Sequence, residues 1–182
     1  MDSHHVFETA FGFCGIAWSG RGITRFLLPM DTAEAAREQL ARRAPTSREA
    51  QAPGPARDAV SAAIAYFAGG EEDFNAIALD LDGIEPMPRA IYAAARRIGY
   101  GHTTTYGALA AEAGFPNAAR ETGTALGRNP VPLIVPCHRI MAAGGKLGGF
   151  SAPGGTRTKR RMLALEKALP PDAEPAQASF AF

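Results

Sequence analysis

Between residues 6 and 28, apolar, β-branched and aromatic positions gather in three short runs, 6–10, 14–19 and 22–28, with Ser19-Gly20-Arg21-Gly22 between the last two. Short runs of this kind mark strands and a glycine-rich break marks a turn, so they predict an antiparallel meander. The pattern then changes. Residues 32–43 are rich in Ala, Glu, Gln and Arg, place Ala36 and Leu40 on one helical face, and begin at a Thr suited to capping, which predicts a helix. A loop is predicted over 48–57, where two prolines and a glycine fall. Pro55 then opens a second helix through Val60, Ile64 and Phe67, ended by Gly69-Gly70. Residues 74–81 alternate as a further strand, and Asp82-Gly83 with Pro86 and Pro88 marks a boundary.

After Pro88 the pattern becomes helices broken by glycine. Residues 89–98 carry Ile91, Ala94, Ala95 and Ile98 on one face and stop near Gly99 and Gly101. A helix is predicted over 105–113, capped by Thr104 or Thr105, then a Gly114-Phe115-Pro116 turn, then a helix over 118–126 capped by Asn117. Helix, short glycine turn, helix is the pattern of a helix-turn-helix. Gly144-Gly145-Lys146 and Gly148-Gly149 predict a loop or wing, and 159–168 a closing amphipathic helix. The Pro- and Ala-rich end from Pro170 to Phe182 is expected to be disordered.

Charge divides at the same boundary. Residues 1–87 hold 7 Lys and Arg against 13 Asp and Glu, residues 88–169 hold 12 against 3, and the tail adds two acids, so −6, +9 and −2 make the net +1. A basic half beside an acidic one fits a polyanion-binding module with a companion, and a solvated basic face gives the same count. With 182 residues and 46% hydrophobic content the chain can fill one medium core or two small ones. No apolar run reaches the twenty or so residues of a membrane span, and the N-terminus lacks the basic and apolar regions of a signal peptide, so no membrane partner and a cytoplasmic location are expected. The two cysteines, Cys14 and Cys137, form no CxxC pattern and fit a reducing compartment.

The segment Pro-Val-Pro-Leu-Ile-Val-Pro-Cys-His-Arg-Ile, residues 130–140, sets a thiol beside an imidazole in an apolar, proline-framed run. A thiolate is a strong nucleophile and an imidazole can take its proton. A packed structural cysteine with a capping histidine gives the same pair. Neighbouring side chains diverge by about 100° in a helical turn, so proton transfer from Cys137 to His138 requires a water relay.

This segment, with Asn129 before it, resembles the signature of the O6-alkylguanine-DNA alkyltransferases, the methylated-DNA–protein-cysteine methyltransferases. The resemblance also takes in Thr104-Thr105-Tyr106-Gly107 with Leu109-Ala110, Asn117-Ala118-Ala119-Arg120 with Gly123, and Gly148-Gly149-Phe150-Ser151 before Lys159, covering about residues 87–168. It implies an α+β fold: a small N-terminal ribonuclease H-like α/β domain with antiparallel strands (1–86) and a helical, winged-helix-like C-terminal domain with a helix-turn-helix (87–169). The implied activity is irreversible, single-turnover transfer of a methyl or small alkyl group from O6-alkylguanine, and from O4-alkylthymine, in double-stranded DNA. The chain is expected to act as a monomer without cofactor or metal. Some relatives hold a zinc in the N-terminal part, but His4, His5 and Cys14 do not make a convincing ligand set.

The resemblance assigns roles residue by residue. Cys137 accepts the alkyl group, His138 relays its proton, Glu166 orients the imidazole, and Asn129 braces the turn before the motif. Tyr106 meets the flipped nucleotide, Arg120 enters the base stack, and Phe150 and Ser151 belong to the loop that closes on the base. Ala119 and Gly123 lie on the DNA-facing helix, which ends near Arg128. A helix is about 10–12 Å wide and the minor groove about 6 Å, so only small side chains let a helix lie against it; tight helix packing uses small residues equally well. Arg139 reads as an ion-pairing or capping residue. A damage-binding protein without repair chemistry is the first alternative, disfavoured by the retained cysteine; a cysteine hydrolase is the second, disfavoured by the adjacency of Cys137 and His138.

Three features depart from the family pattern: Glu121 and Thr122 stand where small or aliphatic residues are usual, Phe150 where tyrosine often stands, and the loop 151–157 is somewhat long. A carboxylate on the DNA-facing helix repels phosphate, although near a helix N-terminus the dipole favours it. Glu121→Ala is therefore expected to tighten DNA binding at low salt, measured by fluorescence anisotropy on a short duplex; unchanged affinity would sink the idea.

Overall fold

The computed structural model describes residues 2–169. Strands β1 (Ser3–Thr9), β2 (Gly12–Trp18) and β3 (Ile23–Met30) form the expected meander, and β4 (Arg48–Glu49) joins it parallel to β1, giving the order β3-β2-β1-β4. The last strand corrects the loop predicted over 48–57: Arg48 N donates to Asp2 O and Ala50 N to His4 O, so two residues pair along the open edge of β1. Helix α1 (Ala33–Arg43) is capped by Thr32, whose hydroxyl accepts from Ala35 N, and buries Ala36 and Leu40 on the sheet. A Cβ at Gly15 would stand 2.7 Å from Leu40 Cδ1, so glycine there lets the helix seat closely. Helix α2 (Gly54–Phe67) buries Ala56, Ala59, Ala63, Tyr66 and Phe67.

The strand predicted over 74–81 does not form. Only a bridge from Ile23 to Leu79 exists, with Ile23 N donating to Ala78 O and Asp80 N to Ile23 O. The reason lies in β3, whose outer edge is shared: three residues further along, Phe26 N donates to Pro130 O at 2.9 Å. One segment takes the start of the edge and the Cys137-bearing segment takes the next site, so neither runs on as a strand.

Helix α3 (Pro86–Arg96) starts three residues before the predicted position, because proline is tolerated in a first turn, where its missing N–H is not needed. A two-stranded parallel pair, β5 (Thr104–Thr105) and β6 (Ile140–Met141), flanks helices α4 (Tyr106–Glu112) and α5 (Ala119–Gly127). Thr105 caps α4 through Ala108 N. Asn117 does not cap α5: it lies in the turn at φ 71°, a left-handed conformation asparagine tolerates better than most residues, and Ala118 holds the cap position without a side-chain bond. The glycine segment predicted as a loop or wing contains a single 3-10 turn, Ala143–Gly145. Helix α6 (Thr156–Leu165) begins earlier than predicted and ends sooner, which leaves Glu166 just past its last turn.

One cluster of buried side chains runs from Phe7 and Trp18 through Tyr66, Ile91, Leu109 and Val131 to Met162, spanning both sides of the boundary read at residue 86. Full burial of each large apolar side chain is worth about 1.5–3 kcal/mol, so this continuous core ties the sheet to the Cys137-bearing segment. The tail expected to be disordered lies outside the described residues.

At Gly22 a Cβ would stand 2.6 Å from Ala78 O. Gly22→Ala is expected to cost about 2 kcal/mol in urea unfolding and to speed amide exchange at Asp80 more than at Val135.

Candidate active site

The segment leading to Cys137 is held from both sides. Asn129 Nδ2 donates to Val135 O at 2.9 Å and its Oδ1 accepts from Val131 N at 3.0 Å, so one side chain closes the turn on itself. Leu133 within this turn has φ 78°, a conformation that costs a non-glycine residue about 1 kcal/mol or more. The Asn129 clamp, the bond from β3 and the burial of Val131, Leu133, Ile134 and Val135 offset that strain. Pro136 then leads into a 3-10 turn, Cys137–Arg139, in which all three side chains are buried.

His138 and Glu166 are fully enclosed, with His138 Nε2 2.7 Å from Glu166 Oε1. Arg139 grips the same carboxylate, its Nε 2.9 Å from Oε2 and its Nη2 3.0 Å from Oε1, while its Nη1 donates to Ile98 O at 2.6 Å. Two more donors complete the set: the Tyr66 hydroxyl at 2.7 Å from Oε1 and Gly101 N at 3.3 Å from Oε2. Burial disfavours the ionised carboxyl, yet the bonds and charges of His138 and Arg139 outweigh it and bring Glu166 down to about 2. Glu166 is therefore ionised at neutral pH and can only accept. His138 Nε2 must then carry the proton, and in the neutral ring Nδ1 is left with a free lone pair. Burial, against the pull of Glu166, holds the imidazole below its usual value and hence neutral. Nδ1 is buried and has no hydrogen-bond partner among the described residues.

Burial pushes the Cys137 thiol up, while Asn129, the charge of Lys159 and backbone N–H groups act the other way. At rest the sulfur is protonated and its reaction requires a base, which the lone pair on His138 Nδ1 supplies. Lys159 is itself fully buried, donates to Ile140 O and stands 5.9 Å from the centre of the Tyr106 ring. Burial lowers it to about 8, opposed by Cys137, so it carries its proton for most of the time at neutral pH.

Cys137 forms part of the wall of a cavity of about 550 Å³ lined also by Tyr106, Gly123, Ala142, Gly148 and Phe150. That volume suits a small organic ligand, and Gly123 leaves room beside Tyr106, whose ring carbons would lie 3.8 Å from a Cβ there. A second cavity of about 210 Å³ also reaches Cys137, from the side of Phe26, Leu28 and Met30. Phe150 and Ser151 line both, and Ser151 Oγ is anchored to Gly127 O at 3.0 Å. Of the residues singled out from sequence, the fold brings Cys137, Tyr106, Gly123, Phe150 and Ser151 to the larger cavity and Asn129 and Arg128 to the smaller, with His138 and Glu166 behind the sulfur. Arg120 and Ala119 stand on α5 outside these walls, Arg120 exposed. Thr122 is fully buried, so its departure from the family pattern faces the core. Arg139, read from sequence as an ion-pairing or capping residue, does form an ion pair, with Glu166, whereas sequence reasoning missed Tyr66 altogether. Nothing local marks Tyr66, an aromatic on the apolar face of a helix 100 residues before its partner.

The description "6-O-methylguanine DNA methyltransferase, DNA binding domain" fits residues 86–168 of this chain. The methylated-DNA–protein-cysteine methyltransferase of Mycobacterium tuberculosis strain H37Rv is 44% identical over 119 residues, 65% of this chain and 70% of that protein. A Thermus thermophilus protein named DNA base-flipping protein is 42% identical over 113 residues, 62% of this chain and 72% of its own. The crystal structure of Mycobacterium tuberculosis OGT in complex with DNA superposes with a TM-score of 0.74 at 34% identity, covering 93% of this chain and 96% of that one. The fold is thus that of a cysteine-dependent DNA alkyltransferase. The chain belongs to the methylated-DNA–protein-cysteine methyltransferase family.

A depressed carboxyl stabilises the fold above its unfolded value, and that contribution is lost as pH falls from about 4.5 toward about 2. Glu166→Gln is expected to lower stability at neutral pH by about 3 kcal/mol, because Arg139 stays buried without its counter-charge, and to flatten the fall of the urea midpoint across that acid window.

Proposed function

We propose that the protein repairs alkylated DNA by a single irreversible transfer, in which a methyl or small alkyl group passes from O6 of guanine, or O4 of thymine, to Cys137 Sγ. The observation that carries this reading is the position of Cys137: a protonated thiol in the wall of a base-sized cavity, backed by a neutral imidazole whose free nitrogen has no hydrogen-bond partner among the described residues. His138 Nδ1 takes the thiol proton through a water, Glu166 offsets the charge that appears on the imidazole, and the sulfur displaces the base from the alkyl carbon. A sulfur–carbon bond forms and the carbon–O6 bond breaks; the proton returns to the leaving base, which becomes ordinary guanine. The thioether has no easy leaving path, so each molecule acts once.

The partner is double-stranded DNA carrying an alkylated base. An atom of a stacked guanine cannot reach a buried sulfur, so the nucleotide is flipped out at a cost of a few kcal/mol. Helix α5 lies against the minor groove through Ala119 and Gly123, Arg120 fills the gap in the stack, and Arg128 adds positive charge at the helix end. Tyr106 and the Phe150-Ser151 loop enclose the flipped base. In this reading residues 1–86 form a ribonuclease H-like support, α4 and α5 are the helix-turn-helix of a winged-helix-like domain over 87–169, and the protein acts as a cytoplasmic monomer. Among the described residues no helix is long and apolar enough to cross a membrane.

Intact-protein and peptide mass spectrometry after mixing with a duplex holding one O6-methylguanine tests the reading. One methyl on the Cys137 peptide, saturating at one per protein and absent in Cys137→Ser, is expected. Tight binding to the damaged duplex with no methyl gained would instead identify a damage sensor.

A further inference from the structure

The Glu166 carboxylate has one donor that the transfer chemistry does not account for. Arg139 and His138 come from the turn that carries Cys137, and Gly101 from the loop after α3, whereas the Tyr66 hydroxyl reaches in from α2 in the N-terminal part. The phenol is completely buried, its ring set edge-on against Phe67, Phe74 and Tyr100, so the hydroxyl has no freedom to turn away. It stands 2.7 Å from Glu166 Oε1 and 3.4 Å from His138 Nε2, while those two atoms are 2.7 Å apart. Three polar atoms thus form a closed triangle with one anionic acceptor at its apex. Burial first, then the charge of Glu166, keeps the phenol protonated, so it is a donor throughout the working range.

A neutral donor on a carboxylate oxygen withdraws electron density from the lone pair facing the imidazole and fixes its direction. That weakens the pull of the carboxylate on the ring and so lowers how tightly the imidazole holds an added proton. The other groups facing His138 are Arg139 on its own turn, Lys159 on α6, and Cys137 beside it. None of these bonds Oε1 from the side of α2. We propose that Tyr66 is a positioning residue for the alkyl transfer: its hydroxyl holds Glu166 Oε1 in place against His138 Nε2 and moderates the proton affinity of the imidazole. The assignment rests on Cys137 and His138 acting as described above, and it gives the N-terminal part a share in the chemistry.

The test compares the full chain with Tyr66→Phe in single-turnover transfer from an O6-methylguanine duplex at saturating DNA, across pH 5.5–9, with Cys137 methylation read by mass spectrometry. Thr9→Val is the control; it removes a hydroxyl bonded to Gly12 O at 2.8 Å in the turn between β1 and β2. In Tyr66→Phe, Cys137 is still expected to be methylated to completion, but about tenfold more slowly at pH 7, since a hydrogen bond to a charged group is worth about that factor. The acid limb of the rate profile moves to higher pH, because the freed carboxylate binds imidazolium more tightly. Nitrogen-15 titration of His138 shows the imidazolium forming at a higher pH in the variant than in the unsubstituted chain. Thr9→Val leaves the limb and the His138 titration in place. An unmoved limb, or an equal slowing at every pH, overturns the proposal and reduces Tyr66 to packing. Failure of the unsubstituted chain to methylate Cys137 overturns the parent reading as well, so the two failures are told apart.

Discussion

The buried carboxylate of Glu166 is the constraint around which the rest is arranged. A lone ionised carboxylate inside a protein is prohibitive, and here its tolerance depends on donors drawn from three places in the chain, α2, the loop after α3 and the Cys137 turn, with Arg139 itself tied to the carbonyl of Ile98. Each donor fixes a piece of backbone relative to the others. The ion pair with Arg139 keeps the cluster near electrical balance, which allows the imidazole between them to remain neutral and basic. A more exposed glutamate would let water compete for these bonds, and the imidazole would lose its fixed orientation.

Much of the local structure was legible because it follows from side-chain periodicity or from a single capping bond. The meander, α1 with its Thr32 cap and α4 with its Thr105 cap are of this kind. The segment over 74–81 was not, since its alternation is real but the β3 edge it needs is shared with Pro130, a competition between segments more than fifty residues apart. Asn117 illustrates another limit: the property that makes asparagine a good cap, a short side chain that bonds its own backbone, also lets it sit in a left-handed turn, and here the turn prevailed.

The reactive segment was the most legible part of the site, because thiol, imidazole and prolines are contiguous and match a specific signature. Asn129 and Glu166 could be named from that likeness, and the fold places them against the turn and the imidazole respectively. Tyr66 could not, since no rule of spacing links a helix face to a carboxylate 100 residues away. The division of Cys137 between two cavities was equally hidden, being a property of where Phe150 and Ser151 come to rest.

Helix α5 has nine residues, with Gly123 within it and Gly127 at its end. Isolated helices shorter than about 12–15 residues are marginal in water, and an interior glycine costs about 1 kcal/mol more, so this sequence would be disordered by itself. Its shape is imposed by burial of Thr122, Ala125 and Leu126 and by the Tyr92 hydroxyl on Ala125 O. The smoothness that would suit it to a narrow groove is therefore borrowed rigidity. Loosening of the scaffold that α3 and α4 provide would blunt recognition before it harmed the sulfur chemistry.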